Sequence, residues 1–378
     1  MRKKLLFIHN KLVCGGAENA LFSLLCLLDK NKYDITVFVL NDGGEWEQKF
    51  QNEGIRVIHS YSRLIPGQRV RNFIRRKRVD WARRNSAKNL IRIVTREKFD
   101  LVLGYHVPAA FMYAGLELRA KKIRYIHGDA RQDHVLKNNL KASNKCIKQY
   151  DRVICVSHTA KQAFEDVTGI YDKTSVCYNP IDSEKIYTGG EKLANITLPK
   201  KYICAVGRLS IEKGFARLIR IHKELNDEGV AHHLVIVGDG PEREHLEKLA
   251  QELGVEDTLL LVGYQQNPYP YMKNSLFTVC SSFTEGLPVI AMESLCLGIP
   301  IVSAYPSVGE LFDGKCCGII TKNDDKSLKM GIRKMLTDMD YYKETVLHAQ
   351  QQGKAFSAEA MIAQVEGLFD AVIEGGQL

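Results

Sequence analysis

The sequence lacks the features that mark exported, membrane-spanning or zinc-binding proteins. None of its ten cysteines forms a Cys-x-x-Cys pair, and the adjacent Cys316 and Cys317 have poor geometry for a disulfide or a zinc site. No run approaches the ~20 apolar residues that a transmembrane helix needs. The apolar run Leu5 to Ile8 near the N-terminus is too short for a signal peptide and is typical of a buried parallel strand. We therefore expect reduced cysteines and a cytoplasmic protein without a transmembrane anchor.

The net positive charge of the protein comes from one segment. The chain has 378 residues, 26% charged and 45% hydrophobic, which is typical of a soluble globular protein with two domains. Its net charge is +9, but residues 63–98 alone contain 13 Lys and Arg against Asp80 and Glu97, or +11. The rest of the chain is therefore close to −2.

This basic segment is compatible with three interpretations. Phe73 and Trp81 lie among its arginines in a pattern roughly consistent with an amphipathic helix. Such a helix has either a solvated charged face or an interfacial face that lies on an anionic membrane. Nucleic acid is the third option, but no recognised binding motif supports it, and we expect no nucleic-acid partner.

Strands and helices alternate along both halves of the chain, which predicts doubly wound parallel sheets in an α/β fold. In the first half, after the strand at the N-terminus, strands are predicted at Asp34–Leu40, Ile55–His59, Asp100–Gly104, Lys122–Ile126 and Arg152–Val156. In the second half they are predicted at Tyr202–Val206, His233–Val237 and Leu259–Gly263.

The turn signal at Asn179-Pro180 marks the predicted domain boundary. The polar segment 183–199 that follows contains two glycines and is interpreted as the linker. The predicted domains are residues 1–180 and 181–356, and Ser357 caps a last helix within 357–378.

Two carboxylates, Glu285 and Glu293, flank the predicted start of an apolar helix. Pro288 has a φ suited to the first turn of a helix, so Glu285 lies in the preceding loop and Glu293 inside the helix. The N–H groups of Gly286 and Leu287 stand near the helix start, where unpaired donors and the dipole attract anions. Acceptors for sugar hydroxyls beside donors for a phosphate suit a sugar nucleotide, although a capping or solvated glutamate is the alternative on this segment alone.

Two loops of the first half also suggest ligand contacts. Gly15-Gly16, between a strand and a helix, allows close approach of the backbone to a phosphate or an acceptor, although such pairs are commonly simple turns. His127 follows a strand end, where ligands of open α/β sheets bind, although a lone histidine is more often structural.

The second half contains two further loops with ligand-binding character. Arg208 offers a planar fork to a diphosphate, and Lys213 in the same loop offers a compact charge. The turn that begins at Gly238 fails as a dinucleotide fingerprint because Arg243 stands where the third glycine belongs.

Taken in order, these motifs resemble those of retaining family-4 glycosyltransferases of the GT-B fold, in which two Rossmann-like domains face each other across a cleft. The resemblance covers nearly the whole chain. It is carried by Gly15-Gly16 within Gly-Gly-x-Glu, His127, Asn179-Pro180, Arg208 and Lys213 within Gly-Arg-Leu-x-x-x-Lys-Gly, Gly238-Asp239-Gly240-Pro241, and Glu285 and Glu293 within Glu-x7-Glu.

The resemblance implies that the domain 1–180 is the acceptor side and 181–356 binds the nucleotide sugar. Arg208 and Lys213, with the N–H groups of Gly286 and Leu287, would then bind the departing diphosphate. The last helix would pack back on the first domain.

The remaining site residues receive roles from the same resemblance. His127 and Glu285 would hold the transferred sugar, and Glu293 would accept bonds from the ribose hydroxyls. Tyr264 follows the strand end where the base would lie. Gly15, Gly16 and the Gly238 turn would complete the substrate-binding set.

The implied activity is metal-independent retaining transfer of a hexosyl or N-acetylhexosaminyl group, with no cofactor. The donor would be a nucleotide sugar, a UDP-sugar by family frequency, and the acceptor a glycan or a lipid-linked glycan of cell-surface polysaccharide biosynthesis. The basic segment 63–98 would then attach the protein peripherally to the inner face of the membrane. A GT-B sugar-nucleotide epimerase and a non-catalytic nucleotide-sugar-binding protein are the alternatives.

Overall fold

A computed structural model describes residues 2–13, 15–40, 44–59, 90–105, 119–194 and 196–376. The chain divides into two compact units. The first unit contains residues 1–180 and 361–378, and the second contains residues 181–360.

The first unit is built on a seven-stranded sheet in which every strand pairing is parallel. Its strands are β1 (Lys3–His9), β2 (Tyr33–Val39), β3 (Arg56–His59), β4 (Leu101–Gly104), β5 (Lys121–Ile126), β6 (Arg152–Cys155) and β7 (Thr174–Val176). The spatial order is β3-β2-β1-β4-β5-β6-β7, so the direction of winding reverses between β1 and β4.

Helices connect these strands and cover the sheet. They are α1 (Gly16–Leu27), α2 (Glu47–Asn52), a helical stretch at residues 90–97, α3 (His134–Ile147) and α4 (His158–Thr168). Two of them begin with a side-chain cap: Asp133 accepts from the Leu136 N–H at 2.9 Å, and Ser157 accepts from the Ala160 N–H at 3.0 Å. Strand β1, which lies between β2 and β4 inside the sheet, is buried from Leu5 to His9, as expected of a parallel strand covered on both faces.

The last helix of the chain, α12 (Ala358–Glu374), completes the first unit. Its buried side chains Val365, Leu368, Phe369 and Val372 join the same core cluster as β1 and β2. Phe369 meets Phe7 edge to face at 6.3 Å, and Asp370 accepts a hydrogen bond from the Tyr33 hydroxyl at 2.8 Å. These contacts attach the helix to the core of the first unit.

The second unit repeats the plan with a six-stranded sheet, again with parallel pairing between its strands. The strands are β8 (Tyr202–Val206), β9 (His233–Val237), β10 (Leu259–Gly263), β11 (Thr278–Cys280), β12 (Ile301–Ser303) and β13 (Gly318–Ile320). Their order is β10-β9-β8-β11-β12-β13, so the winding reverses between β8 and β11. The prediction of two doubly wound domains is confirmed.

Helices again cover the second sheet. They are α5 (Ser183–Gly190), α6 (Phe215–Asp227), α7 (Arg243–Leu253), α8 (Tyr269–Lys273), α9 (Val289–Cys296), α10 (Asp325–Thr337) and α11 (Met339–Gly353), with short 3-10 helices at Ile211–Lys213 and Pro306–Leu311. None of the helices in the described residues has the length and apolar character needed to cross a membrane.

The segment interpreted as a linker, 183–199, is not entirely linker, and this part of the prediction is wrong. Asp182 caps α5 by accepting from the Lys185 N–H at 2.9 Å, and Ile186 is buried. Gly189 and Gly190, which suggested a loop, are also buried, because the helix packs closely on its neighbours at these two positions.

The basic segment 63–98 falls largely outside the described residues. Phe73, Trp81 and the arginines at 75, 76, 78, 83 and 84 belong to that part, so the membrane interpretation stays a prediction. At the end of the segment, residues 90–97 are helical, with Leu90 and Val94 buried against the sheet.

Candidate active site

The predicted site residues follow strand ends on the carboxyl side of each sheet. In the second unit they come after β8, β9, β10 and β11, the strands that surround the reversal of winding. Ligands of open α/β sheets bind at this kind of position, because loops there diverge and leave a crevice.

Lys213 and Glu285 meet directly in the second unit, although 72 positions separate them in the chain. The Lys213 Nζ lies 2.6 Å from Glu285 Oε1, which also accepts from the Ser282 hydroxyl at 2.6 Å. Burial opposes the charge of Lys213, but the Glu285 carboxylate outweighs it, so the pKa of Lys213 is raised. Lys213 therefore keeps a charged ammonium at neutral pH.

Close backbone packing places the two loops that carry this pair. Gly214 has a φ of +66°, and a Cβ there would lie 2.2 Å from the Ser281 carbonyl oxygen. The Ser281 hydroxyl donates to the Lys213 carbonyl at 2.8 Å. Only glycine fits this position, which explains the Lys-Gly step of the motif.

Arg217, which sequence reasoning did not single out, holds the loop that follows β11. Its side chain is 3% exposed and donates to the Ser281 carbonyl at 2.8 Å and to the Ser282 carbonyl at 3.1 Å. The guanidinium also lies 4.2 Å from the ring centre of Phe283. The available signal was its position among the apolar residues of α6, next to Leu218, where a charge needs partners.

Glu293 lies in α9 and is 8% exposed. Burial raises the pKa of Glu293 to about 7, and a hydrogen bond from Tyr269 acts in the opposite direction. The Tyr269 hydroxyl lies 3.2 Å from Glu293 Oε1. Nothing in the sequence pattern indicated Tyr269, because the contact joins α8 to α9 across 24 positions.

Arg208 is exposed on a loop whose backbone is fixed by hydrogen bonds to the end of β9 and the turn that follows it. Its side chain makes no hydrogen bond or ion pair with other residues that the structure describes, so it is available to a ligand. The neighbouring backbone is fixed, because Gly207 donates to the Val237 carbonyl at 3.0 Å and Leu209 donates to the Asp239 carbonyl at 3.0 Å.

Gly238 lies between the two residues that accept these hydrogen bonds. It has a φ of +148°, and a Cβ there would lie 1.8 Å from the Gly207 carbonyl oxygen. A Cβ on Gly240 would likewise be too close to the Leu209 carbonyl oxygen, at 2.4 Å. The Gly-x-Gly-Pro turn is therefore required where two backbone segments touch below Arg208.

The start of α9 differs slightly from the prediction. Pro288 is the N-cap, with an extended ψ of 116°, and the helix begins at Val289. Gly286 and the buried Leu287 precede it in the loop, directly before Pro288. Tyr264 is 54% exposed directly after the end of β10.

In the first unit, Gly15 and Gly16 connect β1 to α1. Gly15 has an extended φ of −163°, and a Cβ there would lie 2.4 Å from Oε2 of Glu18. Glu18 is 7% exposed, and its other oxygen lies 3.9 Å from Nε2 of the buried His9. The Gly-Gly-x-Glu motif thus turns its carboxylate inward, under the loop.

His127 follows β5 and lies against two buried tyrosines. Its ring is stacked on Tyr125 at 5.7 Å between centres and is tilted against Tyr105 at 4.4 Å. The Tyr105 hydroxyl donates to Asn179 Oδ1 at 3.4 Å, which connects this cluster to the end of the unit. The structure therefore gathers the predicted residues into two sets, one in each unit.

Among the residues with described positions, no group of three or more His, Cys, Asp or Glu side chains is arranged to hold a metal. Metal independence remains a prediction.

Two family models match the chain in succession. The model described as Glycosyltransferase Family 4 matches residues 14–185, and the model described as Glycosyl transferases group 1 matches residues 192–352. Together they cover most of both units.

Curated relatives match parts or most of the chain. An N-acetylgalactosamine-N,N'-diacetylbacillosaminyl-diphospho-undecaprenol 4-alpha-N-acetylgalactosaminyltransferase of Campylobacter jejuni is 35% identical over 187 residues, 49% of this chain and 50% of that protein. The amylovoran biosynthesis glycosyltransferase AmsD of Erwinia amylovora is 23% identical over 80% of this chain and 81% of its own length. The chain spans about half or less of the length of the first relatives that it matches.

Solved structures share the fold over the whole chain. HepE of Anabaena, crystallised in complex with UDP-glucose, superposes with a TM-score of 0.78 and covers 97% of this chain and 99% of its own. At 18% identity this similarity concerns the fold alone.

Proposed function

We propose that the chain, a family-4-like glycosyltransferase of the GT-B fold, transfers a sugar from a UDP-sugar to a glycan or lipid-linked acceptor with retention of anomeric configuration. The observation that carries this proposal is the contact of Lys213 with Glu285 in the loop before α9, the helix that also carries Glu293. A nucleotide-sugar-binding protein without turnover is the alternative, and formation of a glycosylated product distinguishes the two.

The diphosphate would lie against Arg208 and Lys213. Arg208 is exposed and unpaired among the described residues, and Lys213 is held in its charged form by Glu285. Their charges stabilise the negative charge that develops on the leaving group, which is the main demand of this reaction. The N–H groups of Gly286 and Leu287, at the start of α9, add donors for the same group.

The nucleoside would extend along the second unit. Glu293 accepts bonds from the ribose hydroxyls, since an ionised carboxylate is an acceptor with two oxygens. Tyr264, exposed after β10, provides a surface for the base. The names of similar proteins support a uridine nucleotide, because HepE was crystallised with UDP-glucose.

Glu285 would hold the transferred sugar on the second unit, and Gly15 and Gly16 would contact the acceptor on the first. The role of His127 stays a prediction. A hexosyl or N-acetylhexosaminyl group, metal-independent transfer and retention are all part of the proposal. The acceptor hydroxyl attacks from the face that the diphosphate leaves.

A lipid-linked acceptor would bring the protein to the inner face of a membrane. The Campylobacter relative supports this class of acceptor, because its name contains a diphospho-undecaprenol substrate. Flotation with liposomes of anionic lipid tests attachment through 63–98. We expect the protein to bind these liposomes and charge reversal at Arg75, Arg76 and Arg83 to abolish the binding. Binding that survives the charge reversal would contradict attachment through this segment.

The first test of the proposal is thermal denaturation with UDP, GDP, ADP and their sugar conjugates. A ligand at 100 times its Kd stabilises the native state by about 2.7 kcal/mol. We expect stabilisation by uridine nucleotides, and loss of it in Arg208→Ala but not in Arg220→Ala, an exposed arginine of α6. Absence of stabilisation by every nucleotide would contradict the proposal.

Stereochemistry is tested on the product. Incubation with the stabilising sugar nucleotide and a diphospho-polyprenol-linked acceptor, followed by measurement of the anomeric proton coupling, reports the configuration of the new bond. A product of inverted configuration would contradict retention without affecting the assignment of the nucleotide site.

A further inference from the structure

The contact between Tyr269 and Glu293 has a role that sequence motifs do not assign. Tyr269 is the first residue of the short helix α8, and its hydroxyl donates to Glu293 Oε1 at 3.2 Å. Glu293 is deeply buried and belongs to the middle of α9. The tyrosine hydroxyl is the side-chain donor to this carboxyl group within the described residues.

The Tyr269 ring packs against α5. A Cβ on Gly189 of α5 would lie 2.6 Å from Cδ2 of the Tyr269 ring, so the ring packs directly on the helix backbone. Asn267 fixes the same junction, because its amide donates to the Gly189 carbonyl at 2.9 Å. Its side-chain oxygen accepts from the Tyr269 N–H at 3.3 Å.

Lys273, at the other end of α8, also contacts this helix. Its ammonium pairs with Glu191 and lies 4.9 Å from the ring centre of Tyr187. Helix α8 is thus attached to α5 at both ends. The position of the Tyr269 hydroxyl is determined by the backbone of two elements rather than by a mobile side chain.

We infer that Tyr269 is a positioning residue for donor binding: its hydroxyl orients the Glu293 carboxylate toward the ribose and favours the ionised form that accepts the ribose hydroxyls. This inference rests on the proposed function, since Glu293 is taken as the ribose acceptor. It adds Tyr269 as the residue that keeps the Glu293 carboxylate in the orientation and the ionised form that bind the ribose.

The role of Tyr269 can be measured through the pH dependence of nucleotide affinity. Burial raises the pKa of Glu293, the Tyr269 hydrogen bond lowers it, and the resulting pKa is about 7. A ligand that requires the ionised form binds about tenfold more tightly at pH 8 than at pH 6 when that pKa is near 7. Removal of the hydroxyl raises the pKa of Glu293 and moves this change in affinity to higher pH.

The test compares Tyr269→Phe with Tyr271→Phe, using UDP as the probe and calorimetry between pH 5.5 and 9. Tyr271 is a matched control, because it lies on the same helix, is 1% exposed, and its hydroxyl has no hydrogen-bond partner in the described part of the chain. The protonation of UDP itself affects its binding to both variants and the wild type in the same way, so it cancels in the comparison.

We expect Tyr269→Phe to weaken UDP binding about tenfold at pH 7, as for loss of a hydrogen bond to a charged group. The weakening shrinks toward pH 9, because high pH restores the ionised form. Tyr271→Phe keeps the affinity and pH midpoint of the wild type. A Tyr269→Phe variant whose pH midpoint matches the wild type overturns the inference, even if its affinity falls.

A measurement without nucleotide separates this inference from the proposed function. The pH dependence of unfolding reports the pKa of Glu293 directly, by comparison of each protein with its Glu293→Gln derivative. An upward shift of that pKa in Tyr269→Phe supports the positioning contact, and an unchanged pKa overturns it. If the wild type binds no nucleotide, the proposed function fails and donor positioning fails with it.

Discussion

The side chains of Lys213 and Glu285 are each held in one orientation by hydrogen bonds. The ammonium is oriented by the carboxylate at 2.6 Å, and the carboxylate is oriented by the Ser282 hydroxyl. The Lys213 charge therefore has a defined place before a substrate arrives. Preorganised charge of this kind stabilises a transition state without the cost of reorganisation.

Lys213→Ala is expected to lower kcat/KM about 10²-fold or more, as for loss of one preorganised donor. Lys223→Ala on α6, which removes an exposed ion pair with Asp227, serves as the control and is expected to retain full activity. Steady-state kinetics with saturating acceptor measures both. Near-normal turnover of Lys213→Ala would place the diphosphate elsewhere.

Glu293 is expected to destabilise the unliganded protein at alkaline pH. Burial raises its pKa from 4.5 to about 7, so folding favours the protonated form. The stabilisation that this proton contributes is complete below pH 4.5 and is lost as the pH rises through about 7.

Glu293→Gln should remove this pH dependence, because the amide stays neutral. Relative to the wild type, the variant is expected to gain stability between pH 5 and 8, up to about 3 kcal/mol, and to lose nucleotide affinity. Denaturant unfolding at a series of pH values measures the difference. Parallel stability curves for the two proteins would contradict the assignment of the pKa.

At the scale of elements, the site depends on loops that touch through their backbones. Gly214→Ala would force a Cβ against the Ser281 carbonyl and would also strain a φ of +66°. Gly254, the C-cap of α7, is a matched control, because its φ is +62° and a Cβ there meets nothing within 4 Å.

We expect Gly254→Ala to cost about 1 kcal/mol from the backbone strain alone. Gly214→Ala should cost more and should also weaken nucleotide binding, since the loop with Glu285 has to shift. Unfolding curves and UDP titration compare the two. Equal costs and unchanged affinity would show that the loop adapts without moving the site.

Strands and motif residues were predictable from the sequence because they depend on local patterns. The apolar runs placed β8, β9 and β10 at their observed bounds. Short strands such as β11 (Thr278–Cys280) have three residues, which is too few for a periodic signal.

Contacts between distant elements could not be predicted in this way. The Lys213–Glu285 pair was expected only as two separate ligands, and Tyr269 and Arg217 were not singled out at all. Helix α5 was taken for linker because Gly189 and Gly190 suggested a loop. Their purpose is close packing on Tyr269, Leu297 and Lys273, which is visible only in three dimensions.

At the scale of the whole molecule, each unit has its own core, and one helix returns to the first unit from the end of the chain. Phe369 of this helix is fully buried among the residues of the first core, and Phe277 is fully buried in the second. The two phenylalanines therefore provide matched tests of the division.

Phe369→Ala is expected to cost about 3–5 kcal/mol, because the cavity forms in a packed core. Hydrogen exchange should then lose protection in β1 and β2 and keep it in β8 and β9. Phe277→Ala should give the reverse pattern. Uniform loss of protection in both variants would show that the two units unfold together.

The return of α12 to the first unit has a consequence for the order of events during synthesis. Val365, Leu368, Phe369 and Val372 leave the ribosome after every residue of the second unit, yet they close the core that begins with β1. The nascent first unit thus carries an uncovered apolar groove while the second unit is being made. The segment that completes the first core is translated after the second unit, so the first unit reaches its finished form only after the second unit has been made.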